Sequence, residues 1–550
     1  MLVVHLALTA LPAALAAFLA MRRGLRSVPL LLSVALAASG VAAMLVFWAF
    51  YLDSLVGQAT VFALVLGSVQ GIVLCRPDRL DRDILGALWQ PAALWALGSA
   101  FILYFGFVHG GIDQPIPVAG TRFSHTLPTD NEIPLFFANW YYEHGHSGTP
   151  PLYADWLSSD RPPLQVGYVL AQRPFGWDGD GTHYQVLGVV VQQLWIVGLW
   201  AVLLAARIRP LARGLAMFAA IASDIAILHG FFVWPKLIAA AFLLGALAIV
   251  LSDDWLRLRS NPYAAALFAA LCALAMLAHG ASAFGIIPLL VVGALRGMPT
   301  WRWLGIAALT GIALLGPWSA YQRFVDPPGD RLVKWQLGGS LAIDDRGPLA
   351  TIVDSYSEAG LGGTLENKWN NVSEIVGYGD TKDAVSGAVD EIEDGHFGRA
   401  AMALRIPRFF SLLPFLGLLL LAPVAMLVAR VRGRPDGPEW RFGVLSLAYF
   451  ALACGIWALL MFGGPDSSTT IHVGSMVVPL LAVCGCVVGV FSVYPRLAMA
   501  LVALNAFLVL ALYAPSLSPL PGTSYSILSA LIAAASLVGF ALVAFRRAEF

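Results

Sequence analysis

The sequence predicts an all-α, polytopic membrane protein. Hydrophobic residues make up 59% of the 550 residues, charged residues make up only 12%, and the mean hydropathy is +0.76. Soluble domains of this length are far more polar. Apolar runs long enough to cross a bilayer follow one another along most of the chain. The formal net charge is zero, which gives no indication of a nucleic-acid partner.

Fifteen apolar runs are predicted to be transmembrane helices, because they approach the length of about 18–22 residues that spans a bilayer. They lie near 2–20, 28–50, 54–75, 86–108, 186–206, 212–230, 235–251, 262–279, 283–295, 303–320, 406–430, 442–463, 473–493, 497–514 and 524–545. The ninth run is the shortest of them.

The basic residues predict which side of the membrane each loop faces. If the spans alternate, the arginines collect on one side, and the short loops of the other side hold one basic residue, Lys236. The collected arginines include Arg22, Arg23, Arg26, Arg76, Arg79, Arg82, Arg207, Arg209, Arg213, Arg257, Arg259, Arg430, Arg432 and Arg434. The positive-inside rule makes that side cytoplasmic, with the N-terminus outside and the C-terminus inside. No basic segment precedes the first run, so we expect a retained span rather than a signal peptide.

The composition also indicates the kind of membrane. Lysine occurs at only four positions and the other basic residues are arginines, which together with abundant Ala, Leu and Gly is typical of a GC-rich bacterial genome. We therefore expect a multi-pass protein of the bacterial inner (plasma) membrane. The five cysteines lie in or beside apolar runs and match neither a disulfide framework nor a zinc pattern.

The spacing of spans and loops divides the chain into four parts. Residues 1–83 are predicted to form an N-terminal three-helix membrane element. Residues 84–320 form a membrane module that contains a long outer loop at 109–185. Residues 321–405 form a second outer loop, which is acidic and for which a small soluble cap is plausible. Residues 406–550 form a C-terminal five-helix membrane element.

The first outer loop carries two carboxylates, Asp130 and Glu132, directly before an apolar stripe at helical spacing. The stripe predicts an amphipathic helix over 133–143 that lies on the bilayer surface. A carboxylate at the water–lipid boundary can take a proton from an acceptor hydroxyl. The alternative is structural: Thr129 and Glu132 match a capping box, and Asp130 is a first-turn charge favoured by the helix dipole.

A second interfacial helix is predicted farther along the same loop, where Ser159 or Asp160 can cap it. Its apolar face would contain Leu164, Tyr168 and Ala171. Arg161 is a candidate cation for binding phosphate, or else it caps the helix or pairs with Asp155 or Asp160. The loop's aromatic residues are expected to form an interfacial belt, with sugar stacking as the alternative. These aromatic residues are Trp140, Tyr141, Tyr142, Tyr153 and Trp156.

Turns at the outer ends of two spans are candidates for binding a phosphate. Lys236 begins the seventh span, where unpaired N–H groups and the positive end of the helix dipole would attract an anion. His229 and His279 lie in or beside these turns. The alternatives are that Lys236 merely extends to the interface and that the histidines are ordinary helix-end residues. Asp224, inside the sixth span, is either functional or paired with a neighbouring helix.

The chain predicts no specific metal or nucleotide site. Residues 143–146, Glu-His-Gly-His, have metal-ligand side chains, but the cluster is too small to define a site. A divalent metal cofactor therefore stays an open alternative with no ligands assigned. No phosphate-binding P-loop, zincin motif or nucleophile elbow occurs.

Two segments resemble a known family. Asp130-Asn131-Glu132-Ile133-Pro134 and Ser159-Asp160-Arg161-Pro162-Pro163 are similar to parts of the first outer loop of the GT-C superfamily of integral membrane glycosyltransferases. That superfamily includes protein O-mannosyltransferases and lipid A aminoarabinose transferases. The resemblance, over roughly residues 84–320, implies a GT-C-like core and a polyprenyl-phosphate-linked sugar donor. It also implies Asp130 as catalytic base, Glu132 as its helper, and the turns at 234–236 and 279–280 on the same cavity.

The chain departs from that family in two respects. The acidic loop follows the fourth predicted span here, whereas in the family it usually follows the first, and no large C-terminal soluble domain follows the spans. The expected function is transfer of a sugar, on the outer face, to a hydroxyl of an envelope glycan, lipid or protein. The alternatives are a flippase or transporter for a lipid-linked glycan, using Asp224 and the histidines, and an envelope-glycan ligase or polymerase.

Overall fold

The structure, a computed structural model, describes residues 1–75, 81–123, 127–176, 181–404, 413–433, 436–463, 473–515, 520 and 522–546. Within these ranges the regular structure is helical, and the one extended pairing is an isolated bridge between Tyr153 and Trp156. The predicted all-α class is therefore confirmed.

Twelve helices lie before residue 252, in chain order. They are α1 (Leu2–Arg22), α2 (Val28–Leu52), α3 (Ser54–Cys75), α4 (Arg82–Gly106), α5 (Pro115–Thr121), α6 (Ile133–His144), α7 (Leu164–Leu170), α8 (Gly181–Gln192), α9 (Trp195–Ala205), α10 (Pro210–Ile221), α11 (Asp224–Phe231) and α12 (Lys236–Leu251).

The remaining helices of the described ranges follow from residue 255 onward. They are α13 (Trp255–Leu258), α14 (Pro262–Ala278), α15 (Ala283–Arg296), α16 (Trp301–Phe324), α17 (Arg331–Gly338), α18 (Pro348–Val376), α19 (Tyr378–Glu393), α20 (Phe397–Ala403), α21 (Leu421–Val431), α22 (Pro438–Leu460), α23 (Val477–Val493), α24 (Pro495–Tyr513) and α25 (Ile527–Phe545).

The apolar helices make the chain a multi-pass membrane protein. In the described ranges, ten helices or continuous helix pairs are long and apolar enough to cross a membrane, or eleven if the bent pair α10–α11 counts as one span. Four shorter apolar helices have 10–17 residues: Lys236–Leu251, Pro262–Ala278, Gly280–Arg296 and Leu416–Val431. These and the bent pair fall on five of the fifteen predicted spans, so the predicted count is not confirmed.

The centre of the bundle is formed by α2, α8, α9 and α12. Every residue of α12 is buried, and this helix packs against α9, α14 and α2. In contrast, only 11–17% of the apolar stretches of α1, α3 and α16 is buried, which places these helices at the periphery. The second of the three N-terminal helices therefore belongs to the packed core that supports the first outer loop.

The first outer loop folds into the protein more deeply than its pattern predicts. The helix expected over 133–143 is confirmed as α6, but its apolar face packs partly on α7. All residues of α7 are buried. Gly167 of α7 approaches α2 so closely that an added Cβ would lie 2.3 Å from the carbonyl oxygen of Ala43. The prediction that the second helix lies on the bilayer surface is therefore wrong, because α2 covers it.

The second outer loop, whose fold the sequence left open, is helical. It contains α17 to α20, and α17 packs against α18. Side chains of α18 bind the free carbonyl groups at the end of α22. Asn371 Nδ2 donates to the carbonyls of Ala458 and Met461, at 2.9 and 2.8 Å. These bonds satisfy carbonyls that have no partner within their own helix.

The backbone leaves helical geometry before α12. The α10–α11 pair bends by 50°, and Val233 has a φ of +53°. Buried glutamines bind the carbonyls that this break releases: Gln185 Nε2 donates to Phe231 O at 2.6 Å and Gln165 Nε2 to Val233 O at 2.8 Å. The turn that presents Lys236 is thus held by side chains of the first outer loop and of α8.

Candidate active site

A cavity of about 750 Å³ lies between the first outer loop, the ends of several apolar helices and α17. Five of the residues singled out in the sequence line it: Asp130, Asp160, Arg161, Lys236 and His279. Most of the remaining wall is apolar or aromatic. It includes Ile133, Phe137, Trp156, Val166, Trp234, Met276, Leu277, Phe284, Ile287, Leu315, Trp318, Leu332, Val333, Trp335, Leu337, Leu341 and Leu460.

Asp130 and Arg161 form an ion pair on the cavity wall. Arg161 Nη2 lies 3.1 Å from Asp130 Oδ1, and the two side chains are 17% and 13% exposed. Asp130 lies in a 3₁₀ turn, Thr129–Asn131, which is fixed because Asn131 Nδ2 donates to Ile116 O at 3.1 Å. The sequence suggested Asp155 or Asp160 as the partner of Arg161, but Arg161 forms its ion pair with neither of them.

Arg161 is held on its other side by an aromatic ring. Its guanidinium carbon lies 4.0 Å from the centre of the Trp156 ring, a distance typical of a cation–π contact. Burial lowers the pKa of Arg161, and the neighbouring carboxylates Asp130 and Asp160 oppose that shift. Its buried Nε has no hydrogen-bond partner among the described residues. The guanidinium therefore keeps a donor that the protein does not use.

Lys236 lies at the start of α12 and lines the same cavity. Its side chain is buried, with Nζ 3.4 Å from the centre of the Trp234 ring. The backbone around it differs from the expected anion site at a helix N-terminus. The N–H groups of Leu237 and Ile238 donate to Gln192 Oε1, at 3.0 and 3.2 Å. Because Gln192 caps these N–H groups, an anion would be bound here by side chains rather than by the helix end.

His279 also lines the cavity, at the break between α14 and α15. Its Nδ1 accepts from Ala281 N–H at 3.3 Å, and Ser475 Oγ lies 3.0 Å from the same nitrogen. Because Nδ1 is the acceptor, the imidazole N–H is on Nε2 when the ring is neutral. The ring meets that of Trp234 edge-on, with centroids 6.4 Å apart.

Glu132 has different surroundings from Asp130. Tyr153 Oη donates to Glu132 Oε2 at 2.5 Å, and Glu132 is not part of the cavity wall. Burial and this bond raise the pKa of Tyr153. Neither the 3₁₀ turn nor α6 has a side-chain cap, so the capping-box alternative is wrong. Thr129 lies inside the 3₁₀ turn and Glu132 is itself the residue before α6, so neither has the position that a capping box requires.

Two other predicted residues are not part of the cavity wall. Asp224 and His229 are both in α11, fully buried, and neither is part of the cavity wall. Asp224 is in the first turn of α11, directly after the bend, where Ser223 Oγ caps the helix by accepting from Ala226 N–H at 3.4 Å. The structure therefore places Asp130, Asp160, Arg161, Lys236 and His279 on one cavity wall and leaves Glu132, Asp224 and His229 outside it, although His229 is close enough to Lys236 and His279 to interact with them electrostatically.

Asp160 binds a residue of the second outer loop. Arg331 Nη1 lies 2.8 Å from Asp160 Oδ2, and these side chains are only 7% and 1% exposed. Burial raises the pKa of Asp160, while the Leu157 N–H and Arg331 oppose that shift. This ion pair fastens α17 over the cavity. No local sequence pattern predicts this pair, because the two residues are 171 positions apart.

Further hydrogen bonds beside the cavity join the first outer loop to the start of the second. Ser158 Oγ donates to Asp326 Oδ2 at 2.6 Å, and the Ser159 N–H donates to the same oxygen at 2.9 Å. Tyr141 Oη and Tyr321 Oη lie 2.7 Å apart. Tyr141 is thus buried inside the protein rather than exposed in the interfacial belt that the sequence suggested.

The candidate metal-ligand residues near α6 are held apart. His144 stacks on Trp140, with ring centroids 4.1 Å apart, and His146 Nδ1 lies 2.7 Å from Leu52 O. Among the described residues, no group of three or more His, Cys, Asp or Glu side chains could hold a metal ion.

Comparison of the chain with protein-family models, curated proteins and solved structures found no match.

Proposed function

We propose that the protein is an integral membrane glycosyltransferase that moves a sugar from a polyprenyl-phosphate donor to a hydroxyl of an envelope glycan, lipid or protein. One observation carries the proposal: two carboxylates, Asp130 and Asp160, and two basic residues, Arg161 and Lys236, line one cavity whose other walls are mostly apolar. A lipid-phosphate sugar has an anionic group, a sugar and a hydrocarbon chain. The proposal agrees with the resemblance of the first outer loop to the GT-C superfamily.

The charges around the cavity suit a ligand with one negative charge. When Lys236 is protonated, Arg161, Lys236 and Arg331 are three cations against the two carboxylates Asp130 and Asp160, and the net charge of the group is then +1. A sugar linked to a lipid through one phosphate carries one negative charge. Guanidinium and ammonium groups in a site of low dielectric stabilise the charge that grows on the phosphate as its bond to the sugar breaks.

The polar groups of the cavity have separate roles in the proposed transfer step. The acceptor hydroxyl oxygen attacks the anomeric carbon, the bond from that carbon to the phosphate oxygen breaks, and its electron pair stays on the phosphate. Asp130 takes the hydroxyl proton as general base. Lys236 and Arg161 bind the phosphate, and His279 lies on the same wall. Glu132 has no direct part, because Tyr153 binds it away from the cavity.

The apolar wall offers a place for the hydrocarbon chain next to the phosphate. Met276 and Leu277 of α14, Ile287 of α15 and Leu315 of α16 all line the cavity, and α16 is peripheral. A lipid chain entering from the bilayer would therefore meet apolar side chains before its headgroup reached Arg161.

The position of the charges favours a transferase over a flippase. Asp130 and Arg161 belong to turns of an outer loop, and Lys236 and His279 lie at helix ends or breaks. A translocation path would instead need polar groups in the middles of several spans.

The test uses the purified full-length protein in lipid nanodiscs with a panel of radiolabelled undecaprenyl-phosphate sugars and an envelope extract as acceptor. We expect label to move from the lipid to the extract with at least one donor, and to stop in Asp130→Asn. Movement of an intact lipid-linked sugar across proteoliposome membranes, without transfer, would establish the flippase alternative instead.

A further inference from the structure

We infer that Arg161 is exchanged during binding: in the empty site it holds Asp130, and an anionic headgroup takes it over and releases the carboxylate. This inference rests on the proposed function, since it concerns how the same cavity receives its donor. It couples phosphate binding to the release of the base, because Asp130 would be freed only when the phosphate is bound.

In the empty site, Asp130 is held by its ion pair with Arg161. The Asp130–Arg161 distance is 3.1 Å, and within the described part of the chain this is the hydrogen bond that the Asp130 side chain accepts. The ion pair occupies Oδ1, one of the two carboxylate oxygens that could accept a proton from a hydroxyl. The group best placed to act as a base is therefore restrained in the empty site.

The surroundings of Arg161 supply the second argument. Its guanidinium rests on Trp156 at 4.0 Å, and the Trp156 backbone is pinned by paired hydrogen bonds with Tyr153 at 2.9 and 3.1 Å. The buried Nε has no partner among the described residues. The guanidinium can turn on this ring, keep the cation–π contact, and offer Nε and Nη to a new anion.

The neighbouring charges make the exchange directional. Asp160 competes weakly for Arg161, because Arg331 pairs with its Oδ2 at 2.8 Å and the Leu157 N–H donates to the same oxygen at 3.0 Å, although its Oδ1 has no partner among the described residues. Lys236 lines the same cavity and adds a second cation for the incoming phosphate. An anion between Lys236 and Arg161 would face two cations, whereas Asp130 offers Arg161 a single carboxylate.

The exchange makes a measurable prediction about affinity. If an anion must draw Arg161 away from Asp130, then Asp130→Asn should bind farnesyl phosphate about 3- to 10-fold more tightly than the wild type, since one charge-assisted bond no longer competes. Simple repulsion between the carboxylate and the phosphate predicts the same direction. The two causes are separated by a double-mutant cycle with Arg161→Ala.

In the Arg161→Ala background, exchange predicts that Asp130→Asn changes the affinity less than about twofold, because there is no shared arginine to release. Repulsion predicts an equal or larger gain, and that result would overturn the inference. Arg161→Gln repeats the cycle if the alanine variant is poorly folded. Glu143→Gln, an exposed carboxylate of α6, is the control and should not alter binding.

Binding is measured by calorimetry on the full-length protein in nanodiscs. If the wild type does not bind farnesyl phosphate at all, the proposed function fails. If it binds, but the cycle shows no coupling between Asp130 and Arg161, the exchange fails and the proposed function stands.

Discussion

Asp130 and Glu132 are two positions apart, yet only one of them is available for chemistry in the cavity. Asp130 meets Arg161 on the cavity wall, whereas Glu132 accepts a hydrogen bond from Tyr153, 21 positions away. A local sequence pattern cannot separate two such carboxylates, since the difference comes from a partner elsewhere in the loop. The structure therefore supports Asp130, and not Glu132, as the candidate base.

Asp130→Asn tests the role of this residue. Because Asn cannot accept the proton, we expect the transfer rate to fall by roughly 10²–10⁴-fold while donor binding persists. The rate is measured with a saturating donor, and thermal unfolding in detergent checks the fold. Glu132→Gln should reduce the rate far less. A stable Asp130→Asn protein with nearly normal transfer would remove Asp130 from the mechanism.

Lys236→Met tests the phosphate contact, since methionine keeps much of the length and apolar stem of lysine. Loss of one charge-assisted hydrogen bond should weaken donor binding by about 1–3 kcal/mol. Calorimetry with undecaprenyl phosphate measures the change. Lys382→Met, an exposed position of α19, is the matched control. Equal affinities for the Lys236 variant and the wild type would show that this lysine does not bind the phosphate.

At the scale of elements, the start of α12 depends on one buried side chain of α8. Gln192→Leu removes the acceptor for the N–H groups of Leu237 and Ile238. A buried donor left without a partner costs about 1–3 kcal/mol, so we expect a lower unfolding temperature and weaker donor binding through the displaced Lys236. Gln70→Leu, at an exposed position of α3, should change neither. An unaffected Gln192→Leu variant would mean that the helix start is held in another way.

The contact between the two outer loops makes a second prediction at this scale. Arg331→Ala leaves the buried Asp160 carboxylate without its cation, which should destabilise the protein by roughly 3–5 kcal/mol. Limited proteolysis between α17 and α18, together with thermal unfolding, measures the effect. Arg346→Ala is the control, because Arg346 is about half exposed beside Asp344 and such a pair contributes roughly 0–1 kcal/mol. Similar losses in both variants would contradict the role of the Arg331 contact.

Local patterns predicted part of this arrangement and missed the rest for physical reasons. The apolar stripe predicted α6, and the helix-end position of Lys236 and the loop position of Arg161 indicated residues that do line one cavity. The partner of Asp160 and the cap on α12 come from side chains 171 and 45 positions away. No periodicity marks such long-range bonds. The burial of α7 was missed because its pattern does not reveal that α2 covers its other face.

At the scale of the whole molecule, hydropathy predicted the positions of the apolar helices well. It predicted the number of helices that cross the membrane less well. The runs at 235–251 and 283–295 are helices of only 16 and 14 residues, which begin shortly after the backbone breaks at Val233 and His279. Such breaks are tolerated where buried side chains or a cavity satisfy the released backbone groups. Here the breaks coincide with the proposed site.

The orientation in the membrane remains a prediction from the arginine distribution. Cysteines placed singly at Gly148 and Gly395 should react with a membrane-impermeant thiol reagent in intact cells, and one at Gly433 should react only after the membrane is opened. All three positions are exposed. Labelling at Gly433 without labelling at Gly148 would invert the topology and place the cavity on the cytoplasmic side.

The most direct test of the central claim is a cryo-electron microscopy map of the full-length protein in nanodiscs with bound undecaprenyl phosphate. We expect phosphate density in the 750 Å³ cavity, in contact with Lys236 Nζ and the Arg161 guanidinium, and the hydrocarbon chain along Met276, Ile287 and Leu315. The Asp130–Arg161 distance should exceed the 3.1 Å of the empty site. Headgroup density outside this cavity, with the ion pair intact, would contradict the account.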